Sequence, residues 1–136
     1  MTVDTNLIKS PYKKEKFTKE QIEDLVRCTQ DPQYFIENFV WIQHPVKGRM
    51  KFNLFDFQRG LLDAYHNHRY SIALISRQMG KSTAAGAYLL WYAMYVPDQT
   101  ILIAAHKYSG AQEIMQRIRF AYELLPDHVR AGVTAY

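Results

Sequence analysis

Apolar positions along the 136 residues recur at two different periods, and where the period changes the elements can be read off. Residues 1–16 show no period at all: they are polar and lysine-rich and predict a flexible lead-in. Thr18-Lys19-Glu20-Gln21 has the form of a capping box, and Ile22, Leu25 and Val26 follow at helical spacing, predicting a first helix. Asp31-Pro32 repeats the signal with a capping carboxylate before a proline at the first helical position. Tyr34, Phe35, Phe39 and Val40 then supply an apolar face whose aromatic density reads as packing. Punctuation by Pro and Gly makes His44-Pro45-Val46-Lys47-Gly48-Arg49 a turn or loop, Lys51-Phe52-Asn53-Leu54 a short extended piece, and Asp56-Phe57-Gln58-Arg59 the start of another helix.

The second half changes character. Ser71-Ile72-Ala73-Leu74-Ile75 is a short apolar run with the composition of a buried strand, residues 84–96 have the length of a buried helix closed by Pro97, and Thr100-Ile101-Leu102-Ile103-Ala104-Ala105 is a second apolar run. Strand, crossover helix and strand predict a βαβ unit with two parallel strands. Ser109-Gly110-Ala111-Gln112 opens a last helix, with Ile114, Ile118, Ala121, Tyr122 and Leu125 on one face and Pro126 beyond it. The expected class is therefore α/β: a helical N-terminal segment, then the start of a parallel-sheet P-loop NTPase domain. The divisions fall at 1–16, 17–54 and 55–136, the last being a partial ATPase core.

The candidate chemistry sits at the junction between the first apolar run and its helix, in Ser76-Arg77-Gln78-Met79-Gly80-Lys81-Ser82-Thr83. Backbone N–H groups at a turn into a helix N-terminus, aided by the helix dipole, solvate phosphate without bulky side chains. Gly80 lets the backbone approach, Lys81 would place an ammonium on β/γ-phosphate oxygens, and the Ser82 hydroxyl would hold Mg²⁺. Arg77 and Gln78 offer further planar donors. The generic G-x-x-x-x-G-K-[ST] pattern asks for glycine at position 75, where this chain has Ile75. Gln58, some twenty residues ahead of Gly80, carries the donor and acceptor that the N6/N7 edge of adenine requires, and equally suits an exposed helix face. Neither apolar run ends in the carboxylate that an ATPase uses to hold Mg²⁺ and activate water: one leads to Arg77, the other to His106 and Lys107.

Composition narrows the setting only slightly. A single cysteine, Cys28, excludes an intrachain disulfide and a cysteine-built zinc site, and reads as a core or half-buried helix residue in a reducing compartment. No apolar run approaches the ~20 residues of a membrane span, so the expectation is an intracellular protein with no membrane partner. The net charge of +4 gathers in Lys13, Lys14, Lys16 and Lys19 and in Lys47, Arg49 and Lys51, clusters that read as solvated surface ahead of a nucleic-acid contact.

Taken together, Asp31-Pro32 with residues 34–38, Phe55-Asp56-Phe57-Gln58-Arg59, residues 75–83 and residues 101–107 resemble the N-terminal ATPase region of the large terminase subunit of tailed bacteriophages. The similarity runs from about Thr18 to the end, and Ser-Arg-Gln-x-Gly-Lys-Ser matches the deviant Walker A of that family, which lacks the first glycine. The resemblance implies a motor that binds ATP and Mg²⁺, drives double-stranded viral DNA into a capsid through the portal protein, and works with the small terminase subunit. It implies location in the host cell cytoplasm and transiently at the procapsid portal. By the same resemblance Gln58 recognises adenine, Arg77 acts in cis as an arginine finger, Lys81 and Ser82 hold phosphate and Mg²⁺, and Ser76, Gln78, Met79, Gly80 and Thr83 complete the nucleotide loop. The Walker B aspartate, the catalytic glutamate and a nuclease domain would lie past Tyr136, so the chain is expected to bind nucleotide with little or no turnover. Two other readings stand beside this one: a fragment of a helicase-like ATPase, and a nonenzymatic partner-binding module with a vestigial P-loop.

Overall fold

The computed structural model describes residues 8–77 and 80–134. Its elements run α1 (Lys19–Gln30), α2 (Pro32–Phe39), β1 (Trp41–His44), β2 (Gly48–Lys51), α3 (Asp56–Asn67), α4 (Lys81–Tyr95) and α5 (Tyr108–Glu123). Among the described residues the chain is thus a mixed structure of helices and one small sheet.

The helix starts follow from local chemistry. At α1 the Thr18 hydroxyl accepts from Gln21 N (3.3 Å) while Gln21 Oε1 accepts from Thr18 N (2.9 Å), which satisfies two of the donors a helix start leaves open. At α2 the Asp31 carboxylate accepts from the backbone N–H of Gln33 and Tyr34, and Pro32 occupies the first helical position. The inward face of α1 differs from the expected one. Ile22 and Val26 are half exposed, and the helix packs instead through Gln21, Asp24, Leu25 and Cys28, a stripe at i, i+3, i+4 and i+7 that includes polar residues.

α4 occupies the middle of the core. It has buried residues on more than one side, among them Ala84, Ala87, Tyr88, Leu90 and Trp91, and it packs against α2, α3 and α5. A helix apolar nearly all round must be covered nearly all round. Around it lie Phe35, Ile36, Val40, Leu62 and Val129, all essentially inaccessible to solvent. Polar tips of the large aromatics find partners as they enter this core: Trp91 Nε1 donates to the Cys28 carbonyl at 2.7 Å, and the Tyr95 hydroxyl donates to the Val129 carbonyl at 2.6 Å. Where α4 crosses α5, Gly86 faces Ile118 with room for no more than a small side chain.

The sheet is not the expected one. β1 and β2 form an antiparallel hairpin with Trp41 opposite Lys51 and His44 opposite Gly48. Its turn is built by His44, whose Nδ1 accepts from the N–H of Val46 (3.1 Å) and Lys47 (3.0 Å), and by Gly48 at φ +71°. The predicted loop is therefore the tip of a hairpin. The predicted parallel pair is not formed: residues 71–75 and 100–105 carry no strand pairing among the described residues. A fully apolar strand is stable when neighbours pair its backbone and cover both faces. Here only Ile75, Ile101 and Ile103 reach partial cover, while Ile72 and Leu74 are fully exposed and Leu102 is 89% exposed.

Candidate functional site

The candidate loop enters α4 at a residue in the left-handed region. Gly80 is the residue that caps the helix, with φ +75° and ψ +19°, a conformation costly for any residue with a Cβ. Lys81, Ser82 and Thr83 form the first turn, and its first helical bond runs from Ala84 N to the Gly80 carbonyl (3.0 Å). A glycine cap supplies no side-chain acceptor, and no acidic residue lies in this turn. The N-terminal N–H groups and the positive end of the helix dipole are therefore left without a carboxylate of the helix's own. Lys81 is exposed, Ser82 and Thr83 are half-buried, and Ser76 and Arg77 are exposed on the approach. Among the described residues neither Lys81 nor Arg77 is held by a carboxylate. Gln78 and Met79 lie outside the described residues.

Tertiary packing brings Gln58 to this turn. It is the third residue of α3 and only 2% exposed. Its Oε1 accepts from Phe55 N at 2.9 Å, closing the start of α3, and its Nε2 donates to the Gly80 carbonyl at 3.3 Å. Phe55 has no side-chain oxygen with which to reciprocate, so the side-chain cap of α3 rests on Gln58 alone. α3 is itself docked on α2. Arg59 reaches Glu37 Oε1 through Nε (2.9 Å) and Nη2 (2.7 Å), and Gln33 Nε2 donates to Asp63 Oδ1 at 2.7 Å. Asp63, in the middle of α3, is thus used in joining helices.

Three residues in this part of the molecule drew no role from the sequence, one touching the turn and two just ahead of Gln58 in the chain. Arg117, in α5, donates from Nη1 to Thr83 Oγ1 at 3.1 Å, placing a guanidinium beside the first turn of α4. A guanidinium only donates, so the Thr83 hydroxyl proton is directed elsewhere. Phe55 and Phe57 are both exposed and stack at 6.0 Å with their planes 12° apart, just ahead of Gln58 in sequence. Nothing local marks Arg117, which lies 34 residues from Thr83. The Phe-Asp-Phe alternation ahead of Gln58 was a signal available for the other two.

Elsewhere the sequence candidates scatter. His106 and Lys107 are exposed, and Lys107 precedes α5, accepting from Gly110 N at its carbonyl. Of the basic clusters, Lys51 donates to the Asn38 carbonyl (2.8 Å) and Lys13 pairs with Glu15 (2.7 Å), so neither cluster presents all its charge outward. An open groove of about 610 Å³ along the second half of α4, lined by Tyr65, His66, Tyr88, Trp91 and others, shares no lining residue with the turn at Gly80. Among the described residues no three His, Cys, Asp or Glu side chains gather as a metal site. A divalent cation here would rest on the Ser82 hydroxyl and on the phosphates it accompanies. Among the described residues no helix is long and apolar enough to cross a membrane. No protein-family model matches this chain.

Proposed function

We propose that this chain binds the phosphates of ATP at the turn into α4, as the ATP-binding part of a terminase-type DNA-packaging motor. The observation that carries the reading is Gly80: a left-handed glycine directly before Lys81-Ser82-Thr83, opening a helix whose first turn contains no acid. Such a turn offers several N–H donors and a partial positive charge to one anion. Lys81 would reach the β/γ-phosphate oxygens, the Ser82 hydroxyl would meet Mg²⁺, and Arg77 would supply a second cation from the loop. On this reading residues 71–75 and 100–105, unpaired in the structure, are the runs that would pair as parallel strands in an assembled P-loop sheet, with α4 as the crossover between them. Double-stranded viral DNA, a portal protein and a small terminase subunit are the partners that follow from the resemblance of the motifs.

Calorimetric titration with Mg-ATP, beside Lys81→Ala and with phosphate release followed on the same samples, tests the assignment. The wild-type chain should bind Mg-ATP, and Lys81→Ala should weaken it at least about tenfold, the scale of one charge-assisted contact to phosphate. Steady turnover should be weak or absent. Affinity unchanged in Lys81→Ala, or no binding by the wild type, would refute the reading.

A further inference from the structure

Gln58 is 98% covered, and both ends of its amide are spent inside the protein, the oxygen on Phe55 N–H and the nitrogen on the Gly80 carbonyl. A side chain that reads the N6/N7 edge of adenine must present a donor and an acceptor together to the base. Here the two ends are turned to two different backbone groups. We propose that Gln58 is a positioning residue that sets the phosphate loop through the Gly80 carbonyl, and does not read the base; this rests on the nucleotide-binding reading given above.

Peptide geometry carries the argument from that carbonyl to the ligand. The Gly80 carbonyl and the Lys81 N–H belong to one planar trans unit and point in opposite directions, so fixing one fixes the other. The carbonyl is held twice, by Ala84 N at 3.0 Å and by Gln58 Nε2 at 3.3 Å, which uses both of its lone pairs. The Lys81 N–H, a donor open to phosphate at the helix start, is thereby aimed before any ligand arrives. The fit is also steric: a Cβ on Gly80 would lie 2.6 Å from Gln58 Nε2, so the amide occupies the space that a side chain at position 80 would need. Gln58 is in turn fixed by its cap of α3 and by the Arg59–Glu37 and Gln33–Asp63 contacts that seat α3 on α2. The result is a rigid path from α2 to the phosphate turn, and preorganisation of donors is what it contributes.

The test compares Mg-ATP, Mg-GTP and inorganic tripolyphosphate on wild type, Lys81→Ala and Gln58→Met, a change that keeps the volume and removes both amide contacts. All three ligands should weaken in Gln58→Met by one common factor, about five- to tenfold as for one neutral hydrogen bond, with the ATP-to-GTP ratio unchanged. A purely structural loss, controlled by working well below the melting transition, would leave the tripolyphosphate affinity of the folded protein where it was. Should Gln58→Met fail to fold, Gln58→Asn serves, because an amide one methylene shorter cannot reach both Phe55 N–H and the Gly80 carbonyl. Unchanged tripolyphosphate binding with ATP falling to the level of GTP would overturn the proposal and make Gln58 the base reader. Unchanged binding of all three, while Lys81→Ala abolishes it, would overturn this proposal alone. No binding of any of the three by wild type would overturn it together with the reading on which it rests.

Discussion

Cys28 shows how strongly burial sets the behaviour of a residue. It is completely inaccessible in α1, and its carbonyl accepts from Trp91. Burial, with Asp24 and Asp31 adding to it, pushes the thiol from its ordinary 9.0 up to about 12. An acid whose folded pKa is raised keeps its proton in the native state after the unfolded chain has lost it, so its stabilising effect is full below pH 9 and is lost between about pH 9 and 12. The Tyr95 phenol, also raised chiefly by burial, extends the same trend to more alkaline pH. Urea midpoints should therefore fall as pH is taken from 8 to 10.5, and more steeply for wild type than for Cys28→Ala. Parallel curves would show that the thiol is not the coupled group. The sequence pointed to Cys28 as a core or half-buried helix residue, because a lone cysteine has no disulfide to form. It pointed as well to the hydroxyl of Thr18 and the carboxylate of Asp31, whose hydrogen-bond partners lie within three residues. Gln58 was left between two readings, because its second partner lies 22 residues away at Gly80. Arg117 was not seen at all, for the same reason.

Elements whose signals are local were legible, and elements that depend on neighbours were not. The capping box of α1, the Asp-Pro start of α2 and the glycine ahead of α4 act within one turn of the chain, and each marks a helix boundary in the structure. Residues 71–75 and 100–105 have strand composition, but a ladder needs a second backbone, and among the described residues none pairs with them. The hairpin of β1 and β2 was missed for the opposite reason: its strands are four residues each, too short to show alternation, and its turn looked like a loop. The contact between α4 and α5 allows a sharper test of packing. A Cβ built on Gly86 would stand 3.6 Å from Ile118 Cγ1, an ordinary contact. Gly86→Ala should therefore be neutral or stabilise by up to about 1 kcal/mol, since alanine loses less backbone entropy than glycine in a helix. Gly86→Leu should cost about 1–3 kcal/mol by forcing the helices apart, and would pull Arg117 away from Thr83. Urea denaturation of the two variants against wild type decides it; a leucine tolerated as well as alanine would mean that the crossing is looser than the geometry states.

Seen whole, the molecule has a well-filled core around α4 and, outside it, apolar side chains with nothing over them. Ile72 and Leu74 protrude from one segment without regular structure and Leu102 from another, and all three belong to the runs that composition marks as buried strands. Single exposed leucines are ordinary, but apolar residues on segments with unpaired backbone combine two causes of association, uncovered surface and open hydrogen-bonding groups. The expected consequence is concentration-dependent self-association of this chain, stronger at high salt because the net charge of +4 is then screened. Ile72→Lys with Leu74→Lys should suppress it while leaving the urea midpoint within about 0.5 kcal/mol of wild type, because side chains already in water have little burial to lose. Light scattering over a concentration series, read beside the denaturation curves, separates the possibilities. If the double variant loses stability as well as association, these side chains are covered in solution and the two runs are strands after all, as their sequence implies. If association persists with stability unchanged, the driving surface lies elsewhere, and the open groove beside Tyr88 and Trp91 becomes the next face to charge.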